Sequence, residues 1–217
     1  MNEKSLKNIL LNIDLARNNI SGSRNIKLLA LVSGEENTRK YWEEKINASS
    51  RYVLNKDNST VIKSLSEKIG NKTRAGNFLG ALLAYSKLAN VLTPGKNNPR
   101  TPVCVVGMLF GRGERISPFT QIEGGCKPAI VVSSVSSGKD KKYLAEIEEA
   151  LMFFSPVAKY IEQGGFRGIL YKWGDQTIIP SIDLSRLPSG NVFGAYDIIK
   201  FTATVKVTDV LANAREW

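Results

Sequence analysis

Between residues 108 and 128 the chain reads Met108-Leu109-Phe110-Gly111-Arg112-Gly113-Glu114-Arg115-Ile116-Ser117-Pro118-Phe119-Thr120, and then Cys126-Lys127-Pro128. Two glycines straight after an apolar run let the backbone approach a ligand closely and aim its amides at phosphate oxygens. Arg115 can grip a phosphate with its planar fork, and Lys127 can neutralise one as a point charge. Pro118 and Pro128 stiffen the segment, which lowers the cost of ordering it on binding. The chemistry such a set suits is binding or transfer of a phosphorylated group. The competing reading is a tight strand-to-helix turn with surface arginines and a solvated lysine.

Histidine is absent. This excludes Ser-His triads, His-ligated zinc and histidine bases. Chemistry must therefore rest on carboxylates, lysines, arginines, hydroxyls, backbone amides or a hard metal ion. Asp175, in Trp173-Gly174-Asp175, is a carboxylate at an expected strand end and could hold Mg²⁺; a turn-forming Gly-Asp is the alternative. Ser137-Gly138-Lys139-Asp140 lacks the full pattern of a phosphate loop. Glu146, Glu148, Glu149 and Glu162 lie on one expected helix and read as a solvated face.

The segment from Gly111 to Pro128 resembles the signature of the sugar-1-phosphate nucleotidyltransferases, or nucleoside-diphosphate-sugar pyrophosphorylases: Gly-x-Gly-x-Arg, then Pro-x-Thr, then Lys-Pro. The matching positions are Gly111, Gly113, Arg115, Pro118, Thr120, Lys127 and Pro128. Phe110 stands where the family usually has glycine, and Glu114 where it usually has a small residue. A weaker likeness extends through Gly165–Leu170, so roughly residues 101–175 are covered. The resemblance implies a Rossmann-like α/β domain that joins a nucleoside triphosphate to a sugar 1-phosphate with release of pyrophosphate, using Mg²⁺. It implies nucleotide binding at Leu109, Gly111, Arg112, Gly113 and Thr120. It also implies stabilisation of the leaving pyrophosphate by Arg115 and neutralisation of the reacting phosphates by Lys127. Phosphoryl-type transfer needs positioning and charge more than a protein base, so a histidine-free site suits it.

The elements that must position these residues are legible in part. Pro102–Leu109 is a short β-branched apolar run, the pattern of a buried parallel strand. A helix is expected over Tyr143–Gln163, kinked or split at Pro156 and ended by Gly164-Gly165. Gly168–Trp173 and Ile198–Val207 read as further strands. This is βαβ grammar, in which ligands sit beyond the carboxyl ends of strands. Upstream, residues 1–100 read as mainly helical: Leu6, Ile9, Leu10 and Ile13 recur at helical spacing, Asn58–Ile69 reads as a capped helix, and Arg74–Val91 is the clearest helix. Two prolines, a glycine and two asparagines between Thr93 and Pro99 mark a linker. The expected architecture is a helical segment, residues 1–98, followed by a Rossmann-like, mostly parallel sheet with helices on both faces, residues 99–217. By the resemblance, this second part is incomplete at its C-terminal end.

Charge is placed unevenly. Of the net +10, residues 1–100 hold 17 Lys and Arg against 8 Asp and Glu. That segment could attract nucleic acid, an acidic partner or a phosphorylated substrate, or could be a solvated basic surface. A non-catalytic nucleotide- or nucleic-acid-binding module is thus the second functional expectation. Two cysteines without a CxxC pair, no secretory pattern at the N-terminus and no apolar run of ~18 residues point to a reduced, cytoplasmic protein with no membrane span.

Overall fold

Leu28–Ser33 forms strand β1, and all six of its residues are buried. Cys104–Leu109 forms β5, buried throughout in the same way. Two strands covered on both faces belong at the centre of a parallel sheet, and they pair there in parallel register from Leu28 opposite Cys104 to Ser33 opposite Leu109. Val61–Ser66, β2, adds to the outer edge of β1, and Ile169–Trp173, β8, to the outer edge of β5. The sheet order is β2-β1-β5-β8, all parallel. The computed structural model describes residues 3–18, 22–34, 38–54, 60–66, 68–69, 73–74, 76–92, 103–109, 127–137 and 140–184. Two short antiparallel pairs accompany the sheet: β3, Lys68–Ile69, with β4, Thr73–Arg74, and β6, Val131–Ser137, with β7, Asp140–Ala145.

Helices cover both faces. Arg39–Val53, α2, buries Trp42, Ile46, Ser49, Ser50 and Val53, a stripe at helical spacing. Glu146–Gln163, α4, is buried almost all round from Ile147 to Ala158. Both lie on the face that carries Leu29, Leu31, Val105 and Leu170, where Glu3–Asn18, α1, packs against α4. Gly76–Leu92, α3, covers the other face, where Ala81, Ala84 and Leu88 meet Leu28, Ala30, Val32, Val106 and Met108. Alanines at that contact let the helix axis approach the sheet. The protein is therefore an α/β fold, a parallel four-stranded sheet flanked by helices with a helix at its N-terminus.

The connections have an unusual feature. From β1 to β2 the chain moves outward through α2 on one face. From β2 to β5 it returns across β1 through α3 on the opposite face, so the two crossovers have the same hand. From β5 to β8 it continues in the second direction, but α4 lies on the first face beside α2. The hand of this third crossover is opposite to that of the other two. The usual uniform hand comes from coupling strand twist to a tightly following helix. Here the β6–β7 hairpin intervenes before α4, which relaxes that coupling.

Three expectations need correction. Residues 61–66 are not a helix but edge strand β2: Ile62 and Ser64 face inward and Lys63 outward. Their apolar spacing suits either period, and pairing with β1 decides it. The first hundred residues do carry α1, α2 and α3, but they also supply two of the four sheet strands, so the boundary expected at 98–99 is spanned by the β1–β5 ladder. Tyr143–Ala145 ends strand β7, Asp140–Ala145, rather than starting the helix, and α4 is not split at Pro156 but continues as one helix. The expected strand at Ile198–Val207 lies outside the described residues.

Candidate functional site

The carboxyl ends of β5 and β8 lie side by side, from Met108 opposite Trp173. Beyond β8 the chain turns at once through Gly174 and Asp175. Gly174 donates its N–H to Met108 O at 2.8 Å. A Cβ on Gly174 would stand 2.8 Å from the same Met108 O, 3.1 Å from Leu109 Cδ2 and 3.2 Å from Ile147 Cδ1. Only glycine lets this turn press so closely against β5. Gly168, with φ of 138°, starts the same strand in a conformation that side chains avoid, and its carbonyl accepts the Cys104 N–H at 2.9 Å. The position of Asp175 is thus set by glycines at both ends of β8.

Lys127 reaches Asp175 from the opposite side. It opens a single 3-10 turn, Lys127–Ala129, whose Pro128 and Ala129 are buried. Ile130 N–H bonds back to Lys127 O at 3.2 Å, and Glu146 N–H bonds Ile130 O at 2.8 Å, which ties this turn to the start of α4. Lys127 Nζ lies 2.6 Å from Asp175 Oδ2, the side chains being 37% and 22% exposed. The bond to Asp175 holds the Lys127 ammonium above its usual range against the opposing effect of burial. The ammonium has three N–H groups, and the bond to Asp175 occupies one.

Glu146, the first residue of α4, faces this pair. Burial, and then the charge of Asp175, push its carboxyl upward, while Lys127 and Lys172 pull it down. Glu148 is 1% exposed, and its Oε2 accepts the Ala145 N–H at 2.6 Å. The expected solvated face is corrected here: the first turn of α4 points at the sheet, where Glu148 caps an orphan amide, and Glu162 pairs with Lys27 at 3.1 Å.

The fourth ionisable group was not singled out from the sequence. Lys172 is 2% exposed. It sits on the inward face of β8 with Leu170, opposite Gly107, and donates to Trp173 O at 2.6 Å and Gln176 O at 3.0 Å. Burial brings its ammonium down to about 7, against the opposing pull of Asp175 and Glu146. The signal was present: in a strand with period two, a lysine shares Leu170's inward side.

Of the residues expected to form the site, Lys127 and Asp175 are brought together, and Leu109 is the buried last residue of β5, against which the Gly174 turn rests. Gly111, Arg112, Gly113, Arg115 and Thr120 lie outside the described residues. Asp175 sits in the turn that follows β8, and its Oδ2 is engaged by Lys127. Among the described residues no group of three His, Cys, Asp or Glu side chains could hold a metal ion. Among the same residues no helix is long and apolar enough to cross a membrane. Ser137 and Asp140 pair across the β6–β7 hairpin and are not part of a phosphate loop beyond a parallel strand.

Comparison with protein-family models, with curated protein sequences and with solved structures finds no match.

Proposed function

We propose that this rim binds a nucleoside triphosphate, and that the chain is a nucleotidyltransferase, or the nucleotide-binding part of one, joining the triphosphate to a sugar 1-phosphate with release of pyrophosphate. One observation carries the reading. Lys127 and Asp175 were singled out separately and are 48 residues apart, yet they meet at 2.6 Å beyond the carboxyl ends of β5 and β8. Open α/β sheets place their ligands there. The glycine segment Gly111–Arg115 follows directly from β5, whose last residue, Leu109, already belongs to the rim.

The division of work follows from the residue types. Amides around Gly111 and Gly113, with Leu109, Arg112 and Thr120, hold the nucleotide. Lys127 uses its remaining N–H groups on phosphate oxygens, and Asp175 keeps its ammonium aimed at the rim. A sugar-phosphate oxygen attacks the α-phosphorus, the α–β phosphoanhydride bond breaks, and Arg115 stabilises the departing pyrophosphate. A raised Glu146 carboxyl is more readily neutral, which reduces its repulsion of phosphates. Magnesium would enter with the triphosphate, since this ion takes much of its coordination from phosphates and water.

Calorimetric titration with UTP and the other nucleoside triphosphates, with Mg²⁺, tests the reading. Saturable binding that is lost in Lys127→Ala and Arg115→Ala is the expected result. No binding of any triphosphate would overturn it. The second reading, a nucleic-acid-binding module built on the basic segment, is supported less. Arg17, Lys27, Lys40 and Lys63 are all in ion pairs, with Glu149, Glu162, Glu44 and Glu43. Tight RNA or DNA binding with a steep salt dependence would favour it instead.

A further inference from the structure

Burying a lysine costs free energy, and a methionine of similar length would fill the same space without that cost. What Lys172 does with its ammonium is therefore informative. Both of its hydrogen bonds go to one turn. Trp173 O and Gln176 O, the two acceptors, bracket Gly174 and Asp175. The Gly174 N–H to Met108 O bond pins the same turn to β5 from the other side. The turn is thus held at three backbone points, and the side chain it presents is the one that meets Lys127.

We propose that Lys172 is a positioning residue for the phosphate-binding rim, clamping the Trp173–Gln176 turn so that Asp175 holds Lys127 in place. This inference rests on the triphosphate-binding reading for its functional consequence, but the clamp itself is a property of the free protein. The charged groups that face Lys172 are Asp175 on the turn and Glu146 on α4, with Lys127 beyond them. Both carboxylates favour the ammonium, and burial opposes it. Because burial outweighs them, protonation favours the opened turn, and the closed turn gains as pH rises above about 7.

The test is amide hydrogen exchange on the full chain without nucleotide, paired with triphosphate titration. Lys172→Met removes the donors, and Lys172→Gln keeps a shorter one. The Gly174 amide is expected to exchange roughly tenfold faster or more in Lys172→Met and by a smaller factor in Lys172→Gln, relative to amides of β1 such as Leu31 as internal reference. UTP affinity is expected to fall in the same order. Unchanged protection at Gly174 in both variants overturns the inference, even if nucleotide binding is lost. A loosened turn in a protein whose wild type binds no triphosphate supports the clamp and overturns the proposed function instead. Should the Met variant fail to protect β1, Lys172→Gln decides alone: faster Gly174 exchange relative to Leu31 supports the clamp, and an unchanged ratio overturns it.

Discussion

The two halves of one sheet finish differently. In the β1–β2 half, α2 spends its charged side chains on the backbone of the edge strand. Ser64 N–H donates to Glu43 Oε2 at 3.1 Å, Arg39 Nε donates to Ser64 O at 2.9 Å, and Lys63 pairs with the same Glu43 at 3.5 Å. Thr38 Oγ1 bonds Ser33 Oγ at 3.2 Å at the end of β1. These contacts close the exposed edge of a parallel strand, the place where unpaired amides would otherwise invite another chain. In the β5–β8 half, one lysine is buried on a turn, and a second meets an aspartate at the surface. The first half uses charge to seal backbone. The second uses one buried charge to hold a turn and leaves Lys127 partly accessible.

The comparison breaks most clearly through pH. Lys172 has a native value near 7 and an ordinary value of 10.5. Between these the unfolded chain holds a proton that the native chain has released, so native stability rises with pH over that window, by up to ~1.4 kcal/mol per unit. Below about pH 7 both states are protonated and the penalty is fully present. Denaturant titrations from pH 6 to 10 should show the rise in wild type and its absence in Lys172→Met; parallel curves would refute it. Next in size is Gly174→Ala. Its Cβ would meet backbone rather than a yielding side chain, so the turn must lift off β5. A loss of roughly 2–3 kcal/mol in chemical denaturation is expected. A neutral effect would mean the turn is looser than drawn.

Lys127→Ala should separate function from stability. The ion pair is partly solvent-screened, so its removal should cost under ~1 kcal/mol of stability. It should nevertheless weaken triphosphate binding by roughly ten- to a hundredfold, the size of a lost charged hydrogen bond. On the other half of the sheet, Arg39→Ala should cost about 1 kcal/mol and leave triphosphate affinity unchanged. Smallest of all, Lys40→Ala breaks an exposed i,i+4 pair with Glu44 and should change melting by less than ~0.5 kcal/mol. If the Arg39 variant altered nucleotide affinity as much as the Lys127 variant, the contrast between the halves would collapse.

Where local pattern and final packing agree, the sequence was readable. β5 and β8, the helix at residues 76–92, the long helix ended by Gly164-Gly165 and the mixed α/β class all follow from apolar period and glycine punctuation. β1 was missed because its leucine- and alanine-rich run has one β-branched residue, Val32, where β5 has Val105 and Val106, and β2 was misread because an edge strand carrying Ser64 inward has no clean alternation. Lys127 and Asp175 were each chosen for their chemistry, but their meeting depends on a glycine turn and a 3-10 turn converging, which spacing does not encode. Lys172 escaped for the same reason, since its role lies in two backbone carbonyls. The opposite hand of the last crossover has no local signature at all.

The first helix is also tied to the last described segment. Asn12 Nδ2 donates to Pro180 O at 2.8 Å and Ile182 O at 2.9 Å, and Asn8 Nδ2 donates to Ser181 O at 3.0 Å. During synthesis α1 leaves the ribosome long before those carbonyls exist. At ~5–20 residues per second it waits roughly ten to thirty seconds for its partner. Until then α1 can be held only by its packing on α4, and Leu6, Leu10 and Leu11 stay exposed even after folding. Among the described elements, the first to be made is among the last to be secured.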